Sequence, residues 1–477
     1  MNGRRVGALL GPALLVLFVI TSPPDGLSIE AWRTVGLGLL LAVWWSTEPI
    51  PIPATSLLPL VVAPLIGIAD IEKVAPTYAG PVTFLLLGGF LIATAFQHCG
   101  LHRRWALFVL RALGSSTAGL TAGFMLSTAL LSMWISNTAC TLLMAPIALS
   151  VATTVAGEDP RGRRLSVGLL FAVMYGANIG GIATLIGTPP NAILAGFLRS
   201  TYAMDLSFIQ WFGYGFPVVA ILLPVTWWVL ARWLYRYDSA NIAVVQEMVR
   251  EERASTGPIT RPETRVGIVF GLTALAWAFR PLLQEIAGLH GISDAVIAMS
   301  GGLVLFLLPA GSSDPRYRGG RILNWETAVQ LPWGILLLFG GGMTLAALVV
   351  DTGLAEWLGS QLAGLQSVDL RAIMAISVVG TLLMTELVSN TGTTSVVLPI
   401  LGSVAVASSA NPLFLAAPAA MAASCAFMLP VATAPNAIVY ATGQIKISEM
   451  IRTGVVVNAL AATVIILVAI ALLPRSV

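Results

Sequence analysis

Charged side chains are scarce in this chain. Lys, Arg, Asp and Glu make up 10% of its 477 residues, against 57% hydrophobic. Soluble domains carry about 25% charged residues, so a soluble globular fold is excluded. The apolar runs are continuous rather than alternating, which excludes a membrane barrel. Helices remain, because each satisfies its backbone polar groups within one span. Net charge is +3 and the bases are almost all Arg, with no cluster that would hold nucleic acid. The histidines (His98, His102, His290) are scattered, and Cys99, Cys140 and Cys425 lie in apolar stretches at no metal-like spacing. The cysteines read as small buried hydrophobes. There is no phosphate-binding loop, no HExxH and no supported Ser-His-Asp set, so no enzyme is expected.

What is present is a tripeptide that occurs twice. Ser136-Asn137-Thr138 interrupts ALLSMWISNTACTLLMAPIAL, and Ser389-Asn390-Thr391 interrupts GTLLMTELVSNTGTTSVVLPI. Spans of about 20 apolar residues are expected near 6–22, 30–47, 54–69, 81–98, 209–233, 266–284, 292–309, 332–350 and 451–473. The first follows Arg4-Arg5 as a signal peptide would. It ends in Ser22-Pro23-Pro24 rather than a small-residue cleavage site, so it reads as an uncleaved span. Residues 100–115 are basic and amphipathic and belong on the membrane surface. Residues 236–265, with Arg250-Glu251-Glu252-Arg253, form a charged cytoplasmic connector. Residues 166–198 and 411–443 are apolar but broken by Gly187-Thr188-Pro189-Pro190-Asn191 and Ala432-Thr433-Ala434-Pro435-Asn436.

Each Ser-Asn-Thr stretch (118–153 and 371–408) is either two short spans or a re-entrant hairpin with the tripeptide at its tip. Read as hairpins, the chain has eleven spans. With a cytoplasmic N-terminus, 19 bases then fall inside and 6 outside. This positive-inside bias orients the chain, with its C-terminus outside, but does not separate the two alternatives.

The order of features is duplicated. An offset of 389 − 136 = 253 carries Gly88, Gly89 and Gly100 onto Gly341, Gly342 and Gly353. At 436 − 191 = 245, Thr-Pro-Pro-Asn lands on Thr-Ala-Pro-Asn. At 241, Ser207 lands on Ser448 and Gly213 on Gly454. Corresponding spans are five apart, an odd number, so the halves have inverted topology, and paired breaks at a repeat interface mark a binding site.

Ser, Asn and Thr cap helices that begin within a membrane, and as a matched pair they also offer donors to carboxylates and acceptors to a cation. The half-helix N-termini favour an anion. Thr188, Asn191, Thr433 and Asn436 add polar atoms, and freed carbonyls suit sodium. No Lys or Arg lies within the four breaks, so an anion there calls for accompanying cations. Glu386 is either a proton site or a brace for its hairpin, and bracing is the reading preferred. Glu48 reads as a structural acid near a membrane surface.

The motifs STEPIPIPATSLLP, FLLLGGFLIATAFQHCGLHRR, SMWISNTACTLLMAPI, GGIATLIGTPPNAI, TELVSNTGTTSVVLPI and FMLPVATAPNAIVYATGQI resemble the divalent anion:sodium symporters, which include the INDY-type di- and tricarboxylate transporters. The resemblance implies an all-α polytopic membrane protein of about eleven transmembrane helices, in two inverted repeats, each with a re-entrant hairpin and a broken helix. It implies a homodimer in the plasma (inner) membrane. It further implies a scaffold (1–115 and 266–362), a transport domain (116–235 and 363–477) that moves as an elevator, and a connector between them (236–265). The stretches 100–115 and 353–365 would link scaffold to transport domain.

By the same resemblance, Ser136, Asn137, Thr138, Thr188, Pro189, Ser389, Asn390, Thr391 and Thr433 would contact a carboxylate substrate. One sodium ion would use Ser132, Ser136, Asn137 and Gly187; another would use Thr385, Val388, Asn390 and Ala432. Val388 and Ala434 depart from the family pattern beside the second ion. The implied function is sodium-coupled import of C4-dicarboxylates such as succinate, malate or fumarate. Alternatives are a sodium-independent dicarboxylate exchanger, a citrate or sulfate transporter, or an anion channel.

Overall fold

The computed structural model describes residues 3–114, 116–156, 162–237, 256–312, 314–317, 320–361 and 369–474, with isolated positions 247, 250, 251 and 254. Most of the connector, and the end of the 353–365 stretch, lie outside the described residues. Helices dominate, and among the described residues the only β pairing is an isolated bridge between Pro309 and Arg321.

The helices follow the hydropathy closely. Gly3–Ile20, Ile29–Thr47, Pro81–His98, Phe208–Trp228, Asp294–Leu307, Trp333–Asp351 and Ile447–Leu472 lie within a few residues of their expected spans. Two spans are less regular than their apolar runs suggest. Residues 54–69 divide into Ile52–Thr55 and Leu58–Leu65. The 266–284 run divides at Phe279 into Arg261–Ala278 and Arg280–Gln284, where Pro281 withholds an amide donor. Among the described residues, seven helices are long and apolar enough to cross a membrane, alongside shorter apolar ones.

The Ser-Asn-Thr stretches are helical hairpins. Thr117–Ser132 leads to Asn137–Ala156, and Leu370–Thr385 leads to Asn390–Ala407. Each leading helix has 16 residues, about 24 Å, which falls short of a hydrocarbon core of about 30 Å. Both tips line one common cavity. The returning helices have 20 and 18 residues, and the shared cavity brings the two tips together. Pro146 and Pro399 repeat at the same offset of 253 within the returning helices.

The two repeats interlock. A Cβ on Gly88 would fall 2.4 Å from the Ala298 carbonyl carbon, and one on Gly341 would fall 2.5 Å from the Ser56 carbonyl oxygen. Gly88 therefore packs backbone to backbone against the Asp294–Leu307 helix of the other half, and Gly341 against the Ser56–Leu57 break. Gly100 and Gly353, at φ +86° and +79°, turn the chain into the surface helices Leu101–Leu113 and Leu354–Gln361, a conformation open to glycine.

Candidate functional site

Four helices begin at one cavity of about 270 Å³: those starting at Asn137, Pro189, Asn390 and Ala434. Ser136 and Ser389 act as caps. Their hydroxyls accept from the amides of Ala139 at 3.3 Å and Gly392 at 3.2 Å. Ser136, Asn137, Thr138, Thr188, Pro189, Ser389, Asn390, Thr391 and Thr433, all expected from the sequence, line the cavity together. So do Gly187 and Ala432. Among the described residues, no Lys, Arg, Asp, Glu or His lines it. Positive potential there comes from four helix N-termini and neutral donors.

Behind each asparagine stands an oxygen cluster. Ser132 Oγ lies 2.6 Å from Asn137 Oδ1 and 2.7 Å from the Ala177 carbonyl oxygen. Thr385 Oγ1 lies 2.9 Å from Asn390 Oδ1 and 2.7 Å from the Ala423 carbonyl oxygen. A hydroxyl has one proton and serves one acceptor. Each cluster therefore brings three hard oxygens together with one contact short of a hydrogen, which is what an oxygen-seeking cation relieves. Ser132 and Thr385 thus sit behind the cavity wall rather than on it. Val388 does not line the cavity either and lies in the turn before Ser389.

Several site residues escaped the motif reading. Gly181 is packed so closely that a Cβ would fall 2.9 Å from Asn137 Oδ1 and 3.1 Å from the Gly187 carbonyl oxygen. Asn178 lines the cavity and is fully buried. The Ala177 and Ala423 carbonyls correspond at 423 − 177 = 246, one step from the offset used for the breaks, so the repeat itself could have located them.

The breaks are held by their own asparagines, which do not reach the cavity. Asn191 Nδ2 lies 3.0 Å, 3.2 Å and 2.7 Å from the carbonyls of Gly181, Ile182 and Thr184. Asn436 Nδ2 lies 3.0 Å and 2.9 Å from those of Ala426 and Leu429. The second break is also tied by Glu386, which is 1% exposed. Its carboxylate accepts from the amides of Phe427 (2.7 Å), Met428 (3.0 Å) and Leu429 (3.1 Å) and from Asn458 Nδ2 (2.7 Å). Every partner is a donor, which suits an acceptor-only carboxylate and the bracing role. The first half has Met133 at the matching position (386 − 253 = 133).

Residues 6–473 match the sodium:sulfate symporter transmembrane region family. The chain belongs to that family. It is 40% identical over 479 residues to the sodium-dependent dicarboxylate transporter SdcS of Staphylococcus saprophyticus, covering 99% of this chain and 92% of that protein. It is 39% identical over 479 residues to the SdcS of Staphylococcus aureus strain bovine RF122, with the same coverage. Among solved structures the fold is shared with Neisseria gonorrhoeae MtrF, at a TM-score of 0.59 and 14% identity, covering 98% of this chain and 99% of that one. It is shared too with the Alcanivorax borkumensis transporter YdaH, at 0.57 and 15%, covering 94% and 99%. The protein is thus an integral membrane transporter of the divalent anion:sodium symporter family and not an enzyme.

Proposed function

We propose that this protein couples sodium entry to the import of C4-dicarboxylates of the succinate, malate and fumarate class. The carrying observation is the pair of asparagines. Asn137 and Asn390 line one cavity, and each turns its amide oxygen to an oxygen cluster behind it. That orientation leaves each Nδ2 donor for the cavity. One carboxylate at each tip, with a sodium ion behind each tip, would neutralise a doubly charged substrate where no cationic side chain is present. Relatives named as sodium-dependent dicarboxylate transporters support a dicarboxylate substrate, and the cavity is on the scale of a small organic acid.

The cavity wall also supports an elevator. Its polar lining residues come from 116–235 and 363–477, whereas Leu86, Phe90 and Ile335, from the two remaining segments, are apolar. An apolar wall makes no hydrogen bonds that must break when the polar wall slides past. In this reading 1–115 and 266–362 are the scaffold, a homodimer sits in the plasma membrane, and the N-terminus is cytoplasmic.

The test is uptake of labelled succinate by reconstituted protein under an inward sodium gradient. Uptake that depends on sodium is expected. Equal uptake with choline replacing sodium refutes symport. Uptake only into vesicles preloaded with dicarboxylate would assign exchange instead.

A further inference from the structure

The two halves of the cavity differ at one buried carboxamide. Asn178, near the end of the Gly162–Gly180 helix, crosses to the other repeat. Its Nδ2 lies 3.4 Å from Thr433 Oγ1, 3.2 Å from Asn436 Oδ1 and 3.4 Å from the Ala426 carbonyl oxygen. Three acceptors surround that end, so the carboxamide cannot be turned around. Its Oδ1 is buried without a partner. The matching position in the second half, at the offset of 246 set by Ala177 and Ala423, is Ser424. That side chain folds back onto the Ala420 carbonyl of its own helix at 3.4 Å and reaches nothing in the first repeat.

The consequence falls on Thr433. The Asn178 amino group has two protons for its three acceptors; the one directed at Thr433 Oγ1 at 3.4 Å, with the Asn436 amide at 3.3 Å, brings two donors to that oxygen. Both lone pairs of the hydroxyl are then engaged, and no acceptor for its proton is found among the described residues. Thr141 and Thr394, by contrast, each donate to a carbonyl four residues back, at 2.8 Å and 2.6 Å. Thr433 lines the cavity, so its proton is left to an acceptor inside it. Thr188, its counterpart, receives no such donor and caps nothing with its side chain.

We infer that Asn178 is a positioning residue for substrate recognition: it commits the Thr433 hydroxyl to donating toward the carboxylate bound at the second hairpin, and makes the two ends of the cavity unequal. This deepens the dicarboxylate reading above and rests on it. What carries the inference is the reach of Nδ2 across to Thr433 and Asn436, which Ser424 in the second half does not reproduce.

The experiment is a double-mutant cycle on succinate uptake at saturating sodium, with Asn178→Ala, Thr433→Val and the combination. Asn178→Ala is expected to raise KM about tenfold, the loss of one directed donor to a carboxylate. On the Thr433→Val background it should add less than about twofold, because its route to the substrate is already gone. Asn178→Leu, close in shape but without the donor or a charge, should behave as Asn178→Ala does and leaves less of a cavity should that variant not fold. Equal KM increases in both backgrounds would show a general structural effect and overturn the inference, as would a wild-type KM in Asn178→Leu. Wild-type protein that takes up no succinate would overturn both this inference and the transport reading. Wild-type uptake with an additive cycle would overturn this one alone.

Discussion

Asp294 caps a helix that belongs to the other half of the chain: its Oδ2 accepts the backbone N–H of Phe208 at 2.7 Å. The same oxygen lies 3.1 Å from Arg280. Arg280 also reaches Asp205 at 3.4 Å, and Asp205 pairs with Arg199 at 3.0 Å. Asp294 and Arg280 are largely buried, whereas Asp205 and Arg199 are half exposed. The network fastens the segment 199–208 to the segment 280–294, across the proposed border between transport domain and scaffold.

Arg280→Ala leaves the Asp294 carboxylate buried without its cation, and a loss of about 3 kcal/mol is expected. Adding Asp294→Asn removes the stranded charge and should recover part of it. Thermal unfolding of the purified protein in detergent measures both. A double variant less stable than Arg280→Ala would show that the pair is not the source of the loss.

The oxygen clusters make a prediction about sodium. Ser132→Ala and Thr385→Ala should each raise the sodium concentration needed for half-maximal stabilisation about tenfold, the loss of one ligand. Gly181→Ala should do more, since its Cβ would press on Asn137 Oδ1 and the Gly187 carbonyl. Melting temperature titrated with sodium at fixed succinate reads all three. Unchanged sodium curves in Ser132→Ala and Thr385→Ala would remove the clusters from the cation sites.

Glu386→Gln is expected to be destabilising although it is nearly isosteric. The amide brings N–H donors against the amides of 427–429, and about 3 kcal/mol is expected from one buried, multiply bonded carboxylate. Asn458→Ala removes a single one of these partners and should cost less. The melting temperatures of the two variants check the order, and the reverse order would argue against the brace.

Acid pH should act on the edge of the connector. Arg104 donates to Glu263 and to the carbonyls of Thr256, Gly257 and Pro258. Burial pushes the Glu263 carboxyl up. The Arg104 guanidinium, with the Thr260 amide and hydroxyl, outweighs that and leaves it below its ordinary 4.5. The folded state therefore holds this proton less tightly than the unfolded state. The pair's stabilisation is present above pH 4.5 and is lost as pH falls through the depressed folded value. Arg104→Ala should lower stability at neutral pH and flatten the loss below 4.5. Melting temperature measured from pH 6 down to pH 3 tests this, and parallel wild-type and variant curves would count against it.

The hydropathy placed most helices within a few residues, because an apolar run of span length has few other solutions in a membrane. The polar residues that line the cavity were legible for a related reason. Ser136, Asn137, Ser389 and Asn390 stand out where every neighbour is apolar. The divisions at Ser56–Leu57 and at Phe279 were not legible, since prolines within an apolar run do not alter its hydropathy enough to show a break. Re-entrance was not legible either. The charge pattern is the same for a hairpin and for two spans.

Residue type and order by themselves determined that this is a duplicated, helical membrane protein with paired polar breaks. Those properties depend on local chemistry and on repetition, and both survive in one dimension. The tertiary structure alone decided what stands behind the tips. The Ala177 and Ala423 carbonyls carry no signature in the residue that bears them. Glu386 meets partners 41 to 72 positions away. Asn178 acquires its role only because folding brings the opposite repeat's Thr433 and Asn436 to its donor. Hydrogen bonds across that separation are set by how the repeats interlock, and no local pattern encodes them.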